Sequence, residues 1–135
     1  MIALDGSALL AILLNEDEAD RCVDAISEED DLIISAASLA EALIVGEAKG
    51  VLMPLRDILA RSQPTVVPLT AERAYAAALA YERWGKGYHR ARLSIMDVFA
   101  YSAAREFDCP LLFVGKDFPK TDIRSALQPT PSPRP

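Results

Sequence analysis

The chain has 135 residues, 51% of them hydrophobic, and its 14 lysine and arginine residues against 20 aspartate and glutamate residues give a net charge of −6. This length and apolar fraction fit one domain with an ordinary hydrophobic core. The acidic balance argues against a protein that coats nucleic acid non-specifically, but it leaves room for a nuclease whose bound cations offset the acids.

The first half of the chain predicts two strands and four helices. Short apolar runs at residues 1–5 and 32–35 predict buried strands, because each run is too short for a helix. Ser7 and Ser38 are the expected N-caps of the first and third helices. Apolar residues spaced three and four apart indicate helices at residues 8–14, 16–28, 38–49 and 51–62.

The second half continues the alternation of strands and helices. Pro68 predicts that the third strand ends there or lies at a sheet edge. Thr70 is the expected N-cap of an alanine-rich helix. The remaining segments are a strand at 65–69, a helix from Thr70 to about Trp84, an irregular loop at 85–92, a helix from Ser94 to about Phe107 and a strand at 111–114.

The order of these elements predicts an α/β fold with a mostly parallel central sheet and helices on both faces. Sheets of this kind bind ligands beyond the carboxyl ends of their strands. The chain from Gln128 reads Gln-Pro-Thr-Pro-Ser-Pro-Arg-Pro, which has nothing to bury and predicts disorder. We therefore divide the chain into a domain at 1–127 and a proline-rich tail at 128–135.

Four carboxylates stand beside apolar segments rather than inside polar runs. Asp5 ends the first predicted strand, Asp117 follows the last one, and Glu41 and Asp97 lie just inside predicted helix starts. Acids at the ends of elements that are remote in sequence can converge when the chain folds. Such a cluster suits hard cations and phosphoryl chemistry.

Each of these acids also has a purely structural explanation. Ser38 and Glu41 form a capping-box pattern, and Ser94 and Asp97 form a variant of it with Asp in place of Glu. Asp5 could cap the first helix. Asp117 lies in a turn-like sequence, where aspartate is common. Taken one residue at a time, the sequence does not decide between these explanations and a metal site.

Other catalytic chemistries lack the residues they need. A single histidine, His89, and two separated cysteines, Cys22 and Cys109, cannot make an ordinary zinc site or a hydrolytic triad. No phosphate-binding glycine loop is present. Oxygen ligands favour Mg²⁺ or Mn²⁺. The chain has no secretion signal and no run of eighteen apolar residues, so we expect a cytoplasmic protein with two buried thiols and no membrane span.

The loop before Asp97 is basic. Lys86, Arg90 and Arg92 interleave with Tyr88 and His89. Positive and aromatic side chains in alternation next to an acidic pocket suit a nucleic-acid strand. A solvated loop with no binding role is the alternative, in which His89 is simply hydrated.

Together these segments resemble the PIN-domain ribonucleases, and most closely the VapC-type toxins of type II toxin–antitoxin pairs. Asp5 is followed by Gly-Ser-Ala, as in the opening motif of the family, where an Asp precedes x-Ser-Ala. The segment 35–42 resembles the second motif, with its acid at Glu41, and 93–101 resembles the third, with its acid at Asp97. The segment 111–118, followed by Thr-Asp-Ile at 121–123, resembles the fourth.

The resemblance implies a PIN-like three-layer sandwich and assigns roles to the acids. Asp5 and Asp97 would bind Mg²⁺, or Mn²⁺, directly, and Glu41 and Asp117 would complete the acidic cluster. Ser7 would support the site. Two departures stand out: Gly6 replaces the usual Thr or Ser, and Lys116 stands where relatives often carry Asp or Asn. Because of the second departure, Asp122 is a further candidate for the fourth acid.

The resemblance also implies function and partners. The chain would be an endoribonuclease that cleaves RNA phosphodiester bonds, forms a homodimer and is held inactive by a small cognate antitoxin. Two alternatives come from other classes. One is a catalytically inactive PIN-like scaffold, and the other is a receiver-type signalling module, which normally has paired acids after its first strand and a phosphorylated Asp after its third.

Overall fold

A computed structural model describes residues 1–127 of the chain. The structure has four strands: β1 Ile2–Leu4, β2 Leu32–Ser35, β3 Thr65–Val67 and β4 Leu111–Leu112. They form one sheet in the order β3-β2-β1-β4, and all of its strand pairings are parallel. The edge position of β3, which ends just before Pro68, agrees with the expectation from that proline.

Helices fill the connections between these strands, as the hydrophobic spacing predicts. Between β1 and β2 the chain forms two helices, and between β2 and β3 it forms two more. Two further helices precede β4, and a short 3₁₀ turn at Phe118–Lys120 follows it. The helices are α1 Gly6–Leu13, α2 Ala19–Ser27, α3 Ala36–Ala48, α4 Leu52–Ser62, α5 Ala71–Trp84 and α6 Asp97–Glu106.

The core has two layers, one on each face of the sheet. Successive strand residues point to opposite faces, so Ala3 and Ile33 join one layer while Leu4 and Ile34 join the other. Helices α1 to α4 cover the second layer, and α5 and α6 cover the first. Burying a leucine as fully as Leu4 contributes about 1.5–3 kcal/mol. The predicted α/β fold, with helices on both faces of a parallel sheet, is confirmed.

Two of the predicted helix caps are wrong. The cap of α1 is Asp5, whose side chain accepts from the Ser7 backbone N–H, and not Ser7 itself. Helix α3 begins at Ala36 and is capped by Ser35, so Ser38 and Glu41 lie inside the helix and do not form a capping box. The reason is that β2 continues directly into α3, and its last residue serves as the cap.

Four further predictions concern membrane spans, the two cysteines, the length of the last strand and the tail. No helix in residues 1–127 is long and apolar enough to cross a membrane. Cys22 and Cys109 are free and buried, as predicted. Strand β4 stops at Leu112, two residues earlier than predicted. The predicted tail at 128–135 lies outside the described residues, so the domain boundary stays a prediction.

Candidate active site

The carboxyl edge of the sheet holds Asp5, the first of the predicted acids. Strand β1 is paired with β2 on one side and β4 on the other, and the Asp5 N–H donates to the Leu112 carbonyl at 2.9 Å. The chain from β1 continues towards β2, whereas β4 comes from the far end of the sequence. Asp5 therefore lies where the strand order reverses, the position at which α/β sheets bind ligands.

Asp5 is the buried centre of this region, with 5% of its surface exposed. Its Oδ2 accepts from the Ser7 backbone N–H at 3.1 Å and from the Ser7 hydroxyl at 2.5 Å. The Ser7 hydroxyl in turn accepts from the Val114 N–H at 3.0 Å. Burial raises the pKa of Asp5, the bonds from Ser7 oppose that rise, and the charge of Asp97 adds to it.

Glu41 shares the electrostatic environment of Asp5. It lies in the second turn of α3 and is half-buried. Burial raises its pKa first, and the charges of Asp5 and Asp97 raise it further. Like charges in a partly desolvated region disfavour full ionisation, which makes the region attractive to a cation. The charges of Asp5 and Asp97 thus both act on Glu41, although the three residues are remote in sequence.

Asp97 forms the hydrogen bonds expected of a cap. Its Oδ2 accepts from the Ser94 N–H at 2.9 Å, and its own N–H donates to the Ser94 hydroxyl at 3.1 Å. These are the two bonds of the predicted capping box, although α6 begins at Asp97, three residues later than the predicted start at Ser94. The same carboxylate raises the pKa of Asp5 and Glu41, so the cap holds Asp97 at the acidic region.

The two candidates for the fourth acid differ in their surroundings. Asp117 is exposed and directly precedes the 3₁₀ turn, so its role at the site stays a prediction. Asp122 accepts from the Tyr101 hydroxyl at 2.6 Å and lies 3.9 Å from Arg105. Asp122 is therefore bound to the side of α6.

Two features near the acids were not predicted from the sequence. Ser38 is 1% exposed, and its hydroxyl has no hydrogen-bond partner in the described structure. The indole N–H of Trp84 donates to the Tyr101 hydroxyl at 2.9 Å, which links the end of α5 to α6 and Asp122. For the bond between Trp84 and Tyr101, the sequence offers one signal: Tyr101 lies one helical turn after Asp97 and therefore on the same side of the helix.

The donor set fits a hard divalent cation in its chemistry. The converging groups are all carboxylates, and the groups that act most strongly on buried Asp5 include no cation. Within residues 1–127 no three His, Cys, Asp or Glu side chains are arranged as ligands to one ion. The charges of these acids can influence one another's pKa at separations well beyond the distance at which they could all coordinate one ion. The pKa shifts therefore do not require the carboxylates to be within coordination distance of each other.

The three cations predicted to bind RNA lie in the segment before Asp97. Lys86, Arg90 and Arg92 are all exposed. The expected hydration of His89 is wrong, because its ring is half-buried and packs edge-on against Trp84 with 4.7 Å between ring centroids. His89 is thus part of the structure of the loop.

Comparisons with known proteins agree on one family. The family model described as the PIN domain matches residues 2–124. A protein named ribonuclease VapC from Mycolicibacterium smegmatis is 38% identical over 125 residues, which cover 90% of this chain and 97% of that protein. Ribonuclease VapC30 from Mycobacterium tuberculosis is 37% identical over 131 residues, covering 95% of this chain and all of the relative.

Solved structures show the same fold at much lower identity. The crystal structure of Mycobacterium tuberculosis VapC20, titled a sarcin-ricin loop cleaving toxin, has a TM-score of 0.75 at 16% identity and covers 96% of this chain and 100% of its own. A toxin–antitoxin complex from Klebsiella pneumoniae has a TM-score of 0.66 at 15% identity, covering 87% and 90%.

Proposed function

This chain belongs to the PIN-domain family, with VapC ribonucleases among its relatives, and from this premise we propose that it is a metal-dependent endoribonuclease and the toxin of a toxin–antitoxin pair. The observation that carries the proposal is buried Asp5 at the reversal of strand order, in a region where the charge of Asp97 raises the pKa of both Asp5 and Glu41. Family membership excludes the receiver module. An inactive scaffold would use Asp5 only as the cap of α1, so a direct assay of RNA cleavage separates the scaffold from the nuclease.

In the proposed mechanism, Asp5 and Asp97 are the residues that would hold Mg²⁺ or Mn²⁺. Such an ion, when bound, offsets the phosphate charge and acidifies a bound water. Ser7 and Ser94 fix the two ligand carboxylates at the starts of α1 and α6. The raised pKa of Glu41 makes it a better acceptor for the proton of the attacking water. Asp117, from its exposed turn, is the second candidate for orienting that water.

The proposed substrate is single-stranded or looped RNA in the cytoplasm. Duplex RNA hides its base edges in a deep, narrow major groove, whereas unpaired segments are open to a protein surface. The relatives named ribonuclease VapC support RNA as the substrate class. The exposed cations Lys86, Arg90 and Arg92 support a nucleic-acid path beside the acids.

Metal dependence is tested directly with purified protein and end-labelled single-stranded RNA. We expect cleavage with Mg²⁺ or Mn²⁺ and none with EDTA. Mg²⁺ should also raise the thermal midpoint, because a ligand at a hundredfold excess over its Kd adds about 2.7 kcal/mol to folding. The shift should shrink as pH falls, since raised pKa values let protons compete for Asp5 and Glu41. Cleavage that survives chelation would contradict the proposal.

We place the antitoxin in a groove of about 490 Å³ between α1, α2 and α4. Its lining is mainly apolar, and Val23 is 43% exposed within it. A groove of this kind accepts the apolar face of an amphipathic helix. The toxin–antitoxin complex with a similar fold supports a protein partner of this type. The groove is lined by Ile12, Val23, Ile26, Ser27, Glu29, Leu32, Ile58, Arg61 and Ser62.

The proposed homodimer has separate support. Ile44 on α3 and Met53 on α4 are large apolar residues that are 69% and 65% exposed. Neither residue lines the antitoxin groove. Exposed apolar side chains of this size suit a surface that a second copy covers.

One experiment addresses both contacts: light scattering of the chain alone and with its antitoxin. The chain alone should have twice the 14.7 kDa monomer mass. Val23→Asp should keep that mass but weaken antitoxin binding at least about tenfold, because it puts a charge into the apolar groove. Val66→Asp, which is equally exposed but outside the groove, is the matched control. Equal losses in both variants would contradict the groove assignment.

A further inference from the structure

The segment 83–92 concentrates positive charge in an acidic chain. It contains Arg83, Lys86, Arg90 and Arg92 and no acidic residue. None of these four forms an ion pair with the described residues, although the Arg83 guanidinium lies 4.8 Å from the centre of the Trp84 ring. Uncompensated cations on an otherwise acidic surface select for a polyanionic ligand.

The 85–92 loop has a defined shape because it is hydrogen-bonded to itself. Its ends are joined by the Lys86 N–H donating to the Leu93 carbonyl at 3.0 Å and the Leu93 N–H donating to the Trp84 carbonyl at 3.1 Å. Inside the loop, the Ala91 N–H donates to Nδ1 of His89 at 2.9 Å. A loop ordered in advance loses less conformational entropy when it binds a ligand.

The loop is also tied to the helix that carries Asp97. Trp84, at the start of the loop, donates to Tyr101, one helical turn after Asp97 on α6. Leu93, at the end of the loop, adjoins Ser94, which forms the capping box with Asp97. Both ends of the loop are therefore joined to the segment that carries Asp97.

Tyr88 offers an aromatic surface within this basic loop. It is 65% exposed, and its ring meets Tyr81 edge-on with 5.8 Å between centroids. The Tyr81 hydroxyl donates to the Lys86 carbonyl at 3.1 Å, which fixes the supporting ring. An exposed ring held in place beside cations is the arrangement on which unpaired bases stack.

The backbone of Arg92 is strained. Its φ is +56°, in the left-handed region that glycine adopts without cost. Asn15, Gln63 and Asp108 share this conformation, so the strain by itself does not mark a binding site. It does allow the arginine to be replaced by glycine without a conformational penalty.

We propose that the 85–92 loop is a subsite for single-stranded RNA, where Tyr88 stacks on an unpaired base and Lys86, Arg90 and Arg92 bind the adjoining phosphates. The proposal rests on the ribonuclease function proposed above and adds where the strand lies relative to the acids. An acidic peptide could use the cations but has no flat base for Tyr88, so the aromatic ring favours RNA over a protein ligand.

The stacking half of the proposal is tested with two labelled strands of equal length, one ordinary RNA and one abasic. Fluorescence anisotropy in an Asp5→Asn background, which leaves the RNA intact, measures both affinities. The starting protein should bind the ordinary strand on the order of tenfold tighter. Tyr88→Ala should remove that preference. Tyr75→Ala, an exposed tyrosine on α5 outside the loop, is the control and should retain it.

The phosphate half is tested with Arg92→Gly. This change removes one cation and relieves the strained backbone, so RNA affinity should fall while the thermal midpoint stays equal or rises. The slope of log K against log salt should become shallower by about 0.7, the value for one contact to a single strand. Gln63→Gly relieves the same conformation (φ +47°) at a neutral exposed residue and should leave RNA binding unchanged.

The outcomes separate this subsite from the general function. Unchanged affinities in both Tyr88→Ala and Arg92→Gly would overturn the subsite while leaving RNA cleavage intact. Equal competition by polyglutamate and RNA would also overturn it, because a generic anion surface would then explain the charge. RNA binding that depends on both residues, in a protein that never cleaves RNA, would support the subsite and contradict the proposed nuclease.

Discussion

Replacing Asp5 with asparagine should lower kcat/KM for RNA cleavage by at least about 10³-fold. Asparagine keeps the shape and the capping oxygen but removes the charge that would hold a divalent ion, and metal-ion catalysis supplies several kcal/mol of transition-state stabilisation. The measurement is the initial rate of cleavage of a labelled single-stranded RNA with Mg²⁺. The same substitution should remove the Mg²⁺-dependent rise in the thermal midpoint.

Without metal, Asp5→Asn should gain stability relative to the parent as the pH rises. Because burial raises the pKa of Asp5 above its ordinary value of 3.8, the folded state retains a proton that the unfolded state releases. Below pH 3.8 Asp5 is protonated in both the folded and the unfolded state, so its ionisation does not affect stability. As the pH rises from 3.8 through the raised pKa of Asp5 in the folded protein, the buried carboxylate progressively destabilises the fold. In EDTA, the free energy of unfolding of Asp5→Asn relative to the parent should therefore increase from pH 4 to pH 7.5.

Asp57→Asn is the matched control, since Asp57 is an exposed aspartate on α4. It should change neither the cleavage rate nor the pH dependence of unfolding by urea. If Asp5→Asn retained full activity, the assignment of Asp5 as a metal ligand would be wrong. If both variants lost activity equally, the loss would not be specific to the acidic cluster.

Gly85→Ala should destabilise the fold by about 2–4 kcal/mol, the cost of overpacking a site that cannot relax. A Cβ at Gly85 would lie 2.4 Å from the Tyr81 carbonyl oxygen and 2.6 Å from the Tyr81 ring. The oxygen belongs to the backbone of α5 and accepts the Gly85 N–H at 2.7 Å, so it cannot move without breaking the helix end. The midpoint of urea unfolding measures the effect.

Gly87→Ala separates steric from conformational cost in the same loop. A Cβ at Gly87 would meet nothing within 4 Å, but the φ of +94° penalises any side chain. We expect a loss of about 1 kcal/mol, the usual scale of that penalty. A Gly85→Ala protein as stable as the parent would show that the end of α5 and the base of the loop are free to shift.

The sequence by itself determined the fold class and most element positions. Apolar runs and helical spacing predicted four strands and six helices in the order found, because periodicity reflects which face is buried and therefore survives folding. The capping box of Ser94 and Asp97 was predictable for a related reason, since both partners lie within one turn. The positions of Asp5, Glu41, Asp97 and Asp117 beside apolar segments made them candidates, and resemblance to a family supplied their expected roles and the function.

Only the tertiary structure decided the surroundings of those acids. The pairing of β1 with both β2 and β4 places Asp5 at the reversal of strand order, and the packed fold lets the charges of Asp5 and Asp97 act on Glu41. Asp122 is bound instead by Tyr101, a partner 21 residues away. Contacts of this kind depend on strand order and helix packing, which local periodicity does not encode. The burial that raises the pKa of Asp5 arises from the same long-range packing.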